Sequence, residues 1–346
     1  MTIRYPRPLR PGDTIGVTAP SSGVPTPLLG RLDHAVEVVR AKGFDVRVGA
    51  TPSGQGMVSA PADVRAAELT GMLTDPRVRA VVPPWGGELA VDLLGRLDWD
   101  ALGADPTWLV GYSDVSTLLL PLTLRTGVAT LHGQNLMDTP YDVPGGILGW
   151  WDVAASAQDG GELLQRSPRR HRSGGWDDYE KEPEVSTWTL DAAGPWLRLD
   201  AADPAAPVDV SGRLIGGCVE TVSFLAGTAY GDVARFAAEH AAEGLVVYLD
   251  ILEWGAADVA RALWALRHAG WFDAANAVLV SRTHAPATGD LSQHDAVRDA
   301  LGDLGIPLLA DVECGHVPPQ LALVNGALAR VQHGPDESTI TQRLVP

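Results

Sequence analysis

Lysine is nearly missing from this chain. Only Lys42 and Lys181 carry it, and 26 basic against 43 acidic side chains leave a formal charge of −17 over 346 residues. No basic stripe interrupts the excess, so nucleic acid or an anionic membrane surface is repelled rather than held. Cysteine is equally scarce: Cys218 and Cys314 cannot build a disulfide framework, which suits a reducing compartment. No run approaches the ~18 apolar residues that span a bilayer, and the opening residues lack a basic head followed by an unbroken apolar core. Also absent are a G-x-G-x-x-G after the first strand, any C-x-x-C pair and any H-E-x-x-H. Those absences argue against dinucleotide binding and against a metal centre. The chain reads as a cytoplasmic protein with no membrane or nucleic-acid partner and no cofactor.

What is present has the composition of a globular enzyme, with 45% hydrophobic and 20% charged residues. Apolar runs at 14–19, 44–48 and 78–82 read as strands, and 31–42 and 64–73 carry helical spacing. This alternation predicts an N-terminal doubly wound, largely parallel sheet. A second α/β unit starts near Val210, with strands expected at 245–249, 277–280 and 307–309 and a helix at 259–268. Added β-structure is expected over 321–331 and 338–344. Three segments follow: residues 1–165, a linker and Trp-rich loop at 166–209, and residues 210–346, with the site in the cleft between the two α/β domains. The tryptophans of the excursion, among them Trp176 and Trp188, belong either to a binding lid or to local anchoring of the loop.

The chain is organised around Thr107-Trp-Leu-Val-Gly-Tyr-Ser-Asp114, a buried strand meeting a helix over 115–124 through a four-residue turn. A serine on such a turn is lifted clear of the sheet at the positive end of a helix. Ser113 is then either a nucleophile or an ordinary helix cap. The pair Gly86-Gly87, after Trp85 and before Glu88 and an expected helix bearing Leu89, Leu93, Leu94 and Leu97, occupies the equivalent junction one strand earlier. It reads as backbone open to a ligand or as a plain turn. A serine needs a base, usually a histidine oriented by a carboxylate. Of nine histidines, His316 stands in an irregular polar loop directly after an apolar strand and is the best placed. Asp250 ends another apolar strand, with Glu253 three residues on. Cys218, in Gly-Gly-Cys-Val-Glu, is a thiol nucleophile or a small buried hydrophobe.

The landmarks Pro11-Gly-Asp-Thr-Ile-Gly-Val-Thr-Ala-Pro20, Trp85-Gly-Gly, Gly111-Tyr-Ser-Asp114, Gly212-Arg-Leu-Ile-Gly-Gly217, Ala269-Gly-Trp-Phe-Asp273 and Gly315-His316 occur in an order that resembles the LD-carboxypeptidase family of serine peptidases. Within it the microcin-immunity branch is the nearer. The resemblance implies Ser113 as nucleophile, His316 as base, and oxyanion amides at Asp114 and at Gly86-Gly87. It also implies a homodimer. The family's third member is a glutamate, and the matching position holds Asp250, one methylene shorter, so either the site adjusts or Glu253 substitutes. The resemblance thus implies a Ser-His-Asp hydrolase that cleaves an amide in a small peptide or an aminoacyl-nucleotide conjugate, with Trp85, Glu88, Trp176, Trp188 and Glu253 lining the substrate site. The alternatives are a murein tetrapeptide carboxypeptidase, or a catalytically altered relative that binds or transfers an acyl group.

Overall fold

A computed structural model describes residues 2–156 and 161–346. Its first sheet is built from β1 (Thr14–Val17), β2 (Asp45–Val48), β3 (Val78–Val81), β4 (Trp108–Gly111) and β5 (Thr130–His132), all parallel in the order β5-β4-β3-β1-β2. The inner strands β3, β4 and β5 are buried on both faces, as strands covered by helices on each side must be, while the edge strand β2 leaves Asp45, Arg47 and Val48 exposed. Helices Leu29–Ala41 and Ala62–Leu73 are amphipathic crossovers, burying Leu32, Ala35, Val36 and Val39 in the first and Ala66, Leu69, Met72 and Leu73 in the second. Strand order reverses between β1 and β3, so the crevice beyond their carboxyl ends is the expected place for a ligand.

The excursion contributes β6 (Glu162–Arg166), the two-stranded pair β7 (Arg170–His171) and β8 (Ala192–Ala193), and β9 (Leu197–Arg198). The second sheet centres on β10 (Val208–Cys218), β11 (Leu245–Asp250), β12 (Ala275–Ser281) and β13 (Leu308–Val312), which are parallel. The carboxyl-terminal stretch forms β14 (Leu323–Asn325), β15 (Leu328–His333) and β16 (Ser338–Arg343). The sheet runs β6-β16-β15-β10-β11-β12-β13-β9 with antiparallel additions at both edges. The expected α/β architecture with added β-structure is therefore present in both halves.

One local expectation differs. The stretch after Glu88 forms only the 3-10 turn Ala90–Leu93 rather than a helix. Side chains have taken its backbone groups: Asp114 accepts the Ala90 amide at 2.8 Å and Arg65 donates to the Leu89 carbonyl at 3.2 Å. The β-structure expected over 321–331 is present, as two strands. It breaks at Gly326, so β14 joins the first sheet antiparallel to β5 while β15 joins the second.

Helix Ser116–Thr126 lies between the sheets. Residues Ser116 through Leu124 are all buried, against β5 on one side and β10 on the other. Each fully buried leucine there contributes roughly 1.5–3 kcal/mol. This helix fixes the position of the turn that precedes it.

Candidate active site

β4 delivers the chain into Ser113 with the backbone in the left-handed region, at φ 61°. A non-glycine residue pays for that conformation, and such strain is characteristic of nucleophile turns. Asp114 secures the turn from below. Its carboxylate accepts the Ser21 hydroxyl at 2.5 Å, the Ala90 amide at 2.8 Å and the Thr117 hydroxyl at 3.1 Å. One side chain thus ties the exits of β1, β3 and β4 together. Gly86 closes over the serine so tightly that a Cβ there would lie 2.8 Å from Ser113 Cβ and 3.0 Å from the Asp114 amide nitrogen.

β11 ends on Asp250, which is fully buried, and the loop after β13 brings His316 against it. His316 Nδ1 donates to Asp250 Oδ1 at 3.0 Å and sits 2.9 Å from Oδ2, while the His316 amide donates to the same Oδ1 at 3.2 Å. The shorter acid is reached because the loop comes to it. A Cβ on Gly315 would lie 2.2 Å from Asp250 Oδ1, so only glycine allows this approach. Glu253 makes no such contact; it is exposed at the cleft margin.

Ser113 and His316 line one cleft of about 650 Å³, together with Trp85, Gly86, Gly87, Tyr112, Asp138, Trp176 and Glu253. A side arm of about 220 Å³ continues past Ser113 between Glu88, Asp114, Cys218, Glu220, Phe224 and Trp254. Among the described residues the Ser113 hydroxyl and His316 are not hydrogen-bonded to each other. In unliganded enzymes such bonds are commonly long and tighten when substrate arrives. Trp176 is half exposed and stands edge-on to His316, ring centroids 6.5 Å apart. Trp188 departs from expectation. It is 7% exposed, stacked on Tyr141 at 3.5 Å, and absent from the cleft lining, because its ring anchors the excursion onto the core.

Burial alone would make the His316 imidazole harder to protonate. The carboxylates of Asp250, Glu220 and Asp138 outweigh it, and the ring is more basic than an ordinary histidine. Burial and the neighbouring acids push the Cys218 thiol far up, which holds it protonated and inert as a nucleophile. Cys218, Asp250 and His316 place donor atoms within 4.8 Å of one another. That set is already committed: the thiol donates to Glu220 and the imidazole to Asp250.

Sequence reasoning missed Glu220, whose Oε1 accepts the amides of Leu252, Glu253 and Trp254 at 2.9, 3.0 and 3.2 Å and so shapes the wall beside the acid. It also missed Asp138, which accepts the hydroxyls of Tyr112 and Tyr179. A carboxylate straight after a Gly-Gly-Cys strand end was the one visible hint of the former.

Comparison with known proteins gives this geometry a context. The family model for the LD-carboxypeptidase N-terminal domain matches residues 15–133, and that for the LD-carboxypeptidase C-terminal domain matches residues 211–331. The Escherichia coli microcin C7 self-immunity protein MccF is 23% identical, covering 97% of this chain and 95% of its own. The probable murein peptide carboxypeptidase of Bacillus subtilis is 25% identical over 94% of this chain and 90% of its own. The solved structure of MccF with aspartyl sulfamoyl adenosine superposes with a TM-score of 0.77, at 22% identity, covering 98% of this chain and 99% of that one.

Proposed function

The chain belongs to the LD-carboxypeptidase family of serine peptidases, and from that premise we propose that it hydrolyses an amide in an aminoacyl- or peptidyl-nucleotide conjugate through Ser113, His316 and Asp250. The observation that carries the reading is a serine strained at φ 61° in the same cleft as an imidazole whose far nitrogen is held by a buried carboxylate. His316 Nε2 takes the Ser113 proton as Oγ attacks the carbonyl carbon. Asp250 keeps the imidazole in the tautomer with its free nitrogen toward the serine and stabilises the imidazolium. The amides of Gly87 and Asp114, with Gly86 allowing the close fit, hold the oxyanion. His316 returns the proton to the leaving nitrogen, and water then releases the acyl group.

Trp176 is the reason to rank the nucleotide conjugate first, since it offers an exposed aromatic face beside His316 for a base. The murein tetrapeptide ranks second because it ends in a free carboxylate. Among the described residues lining the cleft and its arm, none is lysine or arginine. The same lining favours a linker of low charge, which makes sulfamoyl conjugates the better probes. The enzyme is further read as cytoplasmic and as a homodimer, the second checked by light scattering on the purified chain.

Mass spectrometry decides between the substrates: alanyl sulfamoyl adenosine is cleaved to alanine and sulfamoyl adenosine, while a murein tetrapeptide is cut slowly or not at all. Cleavage of the tetrapeptide alone reverses the ranking. A folded protein whose Ser113 fails to take a fluorophosphonate probe is a binding protein, and one that labels but only passes its acyl group to an added amine is a transferase.

A further inference from the structure

The geometry points to Asp138 as a positioning residue that couples the seating of the 176–180 segment to the orientation of His316, acting through the ring of Tyr112. This rests on the hydrolase reading above and adds a group to it. Asp138 ends the 3-10 turn Leu136–Asp138, whose Leu136 and Met137 amides donate to the carbonyls of Pro83 and Pro84 at 2.9 and 3.0 Å. It is thereby built on the same strand exit as Trp85 and the glycine pair. Its two oxygens are divided. Oδ2 accepts the Tyr112 hydroxyl at 3.1 Å, and Oδ1 accepts the Tyr179 hydroxyl at 3.1 Å.

The Tyr112 half leads to the reacting groups. Tyr112 immediately precedes Ser113, is 4% exposed, and lays its ring against His316 with centroids 4.7 Å apart and planes at 59°. Its ring forms one wall for the imidazole, and its hydroxyl holds that ring through Asp138, with Gln320 beside it and the His132 ring edge-on at 6.4 Å. The Tyr179 half leads to the excursion. Tyr179 also covers the Arg31 guanidinium at 4.4 Å, and Arg31 donates to the carbonyls of Met137, Pro183 and Val185 at 2.7, 2.9 and 2.6 Å. The segment is therefore pinned at its far end by Arg31 and at Tyr179 by Asp138. Between that pin and Arg172, paired with Asp177, stands Trp176 at the edge of His316.

A carboxylate buried with a phenol from each side has little reason to be charged except to hold both. Breaking either bond leaves a buried polar group without its partner, which costs more than the bond itself contributes. The carboxylates acting most strongly on the His316 ring are Asp250, Glu220 and Asp138; His132, Cys218, Tyr112, Arg172, Asp177, Glu253 and His284 also border it. Of those three carboxylates, Asp138 is the one that also touches the excursion.

The test uses Asp138→Asn, Tyr112→Phe and Tyr179→Phe in the full chain with alanyl sulfamoyl adenosine. Tyr112→Phe is expected to act mainly on kcat and Tyr179→Phe mainly on KM, each about tenfold. Asp138→Asn is expected to do both, and to move the acid limb of kcat/KM to lower pH by removing a negative charge facing the imidazole. The double variant Tyr112→Phe/Tyr179→Phe should match Asp138→Asn within threefold in kcat/KM. An Asp138→Asn protein that merely melts lower, with kcat, KM and acid limb unchanged, overturns the coupling. If wild type cleaves no conjugate, the hydrolase reading falls separately. The coupling is then read by NMR titration of the His316 ring, which must shift downward in Asp138→Asn for the inference to stand.

Discussion

Replacing Gly315 by alanine tests how a shortened acid is accommodated. The added methyl would lie 2.2 Å from Asp250 Oδ1, 2.6 Å from Ser281 Cβ and 2.7 Å from Ser281 Oγ. Ordinary contact starts near 3.4 Å, so something must move by about 1 Å. The loop is not free to retreat. The Gly315 carbonyl accepts from Gln320 at 2.6 Å, and the Cys314 carbonyl from His132 at 2.9 Å. Ser281 is held too, because its hydroxyl accepts the Ile251 amide at 2.9 Å. The Asp250 carboxylate is the group left to rotate, and rotation takes it away from His316 Nδ1.

A displacement of ~1 Å in a preorganised site costs on the order of 10²-fold in rate, equivalent to about 2.7 kcal/mol of barrier. Overpacking adds about 1–3 kcal/mol of destabilisation, seen as a melting temperature lower by several degrees. The assay is kcat and KM on alanyl sulfamoyl adenosine with thermal melts in parallel. Gly145→Ala serves as control, since a methyl there meets nothing within 4 Å. A Gly315→Ala enzyme with wild-type kcat and wild-type melting would falsify the claim that close approach of this loop is what lets an aspartate serve.

Asp250→Asn should lower kcat by ~10²–10⁴-fold, through loss of the oriented tautomer. The base must be neutral to act, so wild-type activity is lost as pH falls through a His316 value raised above the usual 6.5; in Asp250→Asn the acid limb of kcat/KM moves to lower pH, and an unmoved limb removes Asp250 from that role. Trp176→Ala should leave melting nearly unchanged, as the ring is 50% exposed, and raise KM for nucleotide conjugates. Trp188→Ala should lower stability by about 3–5 kcal/mol in denaturant titrations, because it empties a stacked, buried position; the opposite pattern reverses their assignments. Glu220→Ala releases the three amides of 252–254 and should cost about 1.5–3 kcal/mol in the same titrations, against little for Glu253→Ala.

The pieces legible in the sequence are those that local pattern encodes. Apolar runs ending abruptly in polar residues marked β4, β11 and β13, and each end carries one of Ser113, Asp250 and His316 or leads to it. The parts that stayed hidden are relations between distant residues. Tyr112 and Asp138 are 26 positions apart and Asp138 and Tyr179 are 41, on irregular segments with no periodicity to read. Composition counted the tryptophans of the excursion without saying which faces the cleft; the stack on Tyr141 decides that for Trp188. The helix expected after Glu88 failed for a related reason, since Asp114 and Arg65 had claimed its backbone from elsewhere in the fold.

Ser113 and the His316–Asp250 pair reach the cleft from different sheets, so their geometry depends on how firmly the sheets are indexed to each other. Apolar packing alone tolerates small slides at modest cost. Here the seam is crossed by buried polar joints that do not. Asn325 accepts the Gly216 amide at 3.2 Å and the Tyr248 hydroxyl at 2.8 Å from the second sheet, and donates to Thr130 at 3.1 Å in the first. Ser116, three residues past Ser113, accepts the Cys218 amide at 3.1 Å. His132 at the end of β5 donates to the Cys314 carbonyl, two residues before His316. A slide of even 1 Å would strand several of these groups at about 1–3 kcal/mol each. The joints flank Ser113, Asp250 and His316 in sequence, so the same register that holds the seam sets the distance between Ser113 and His316.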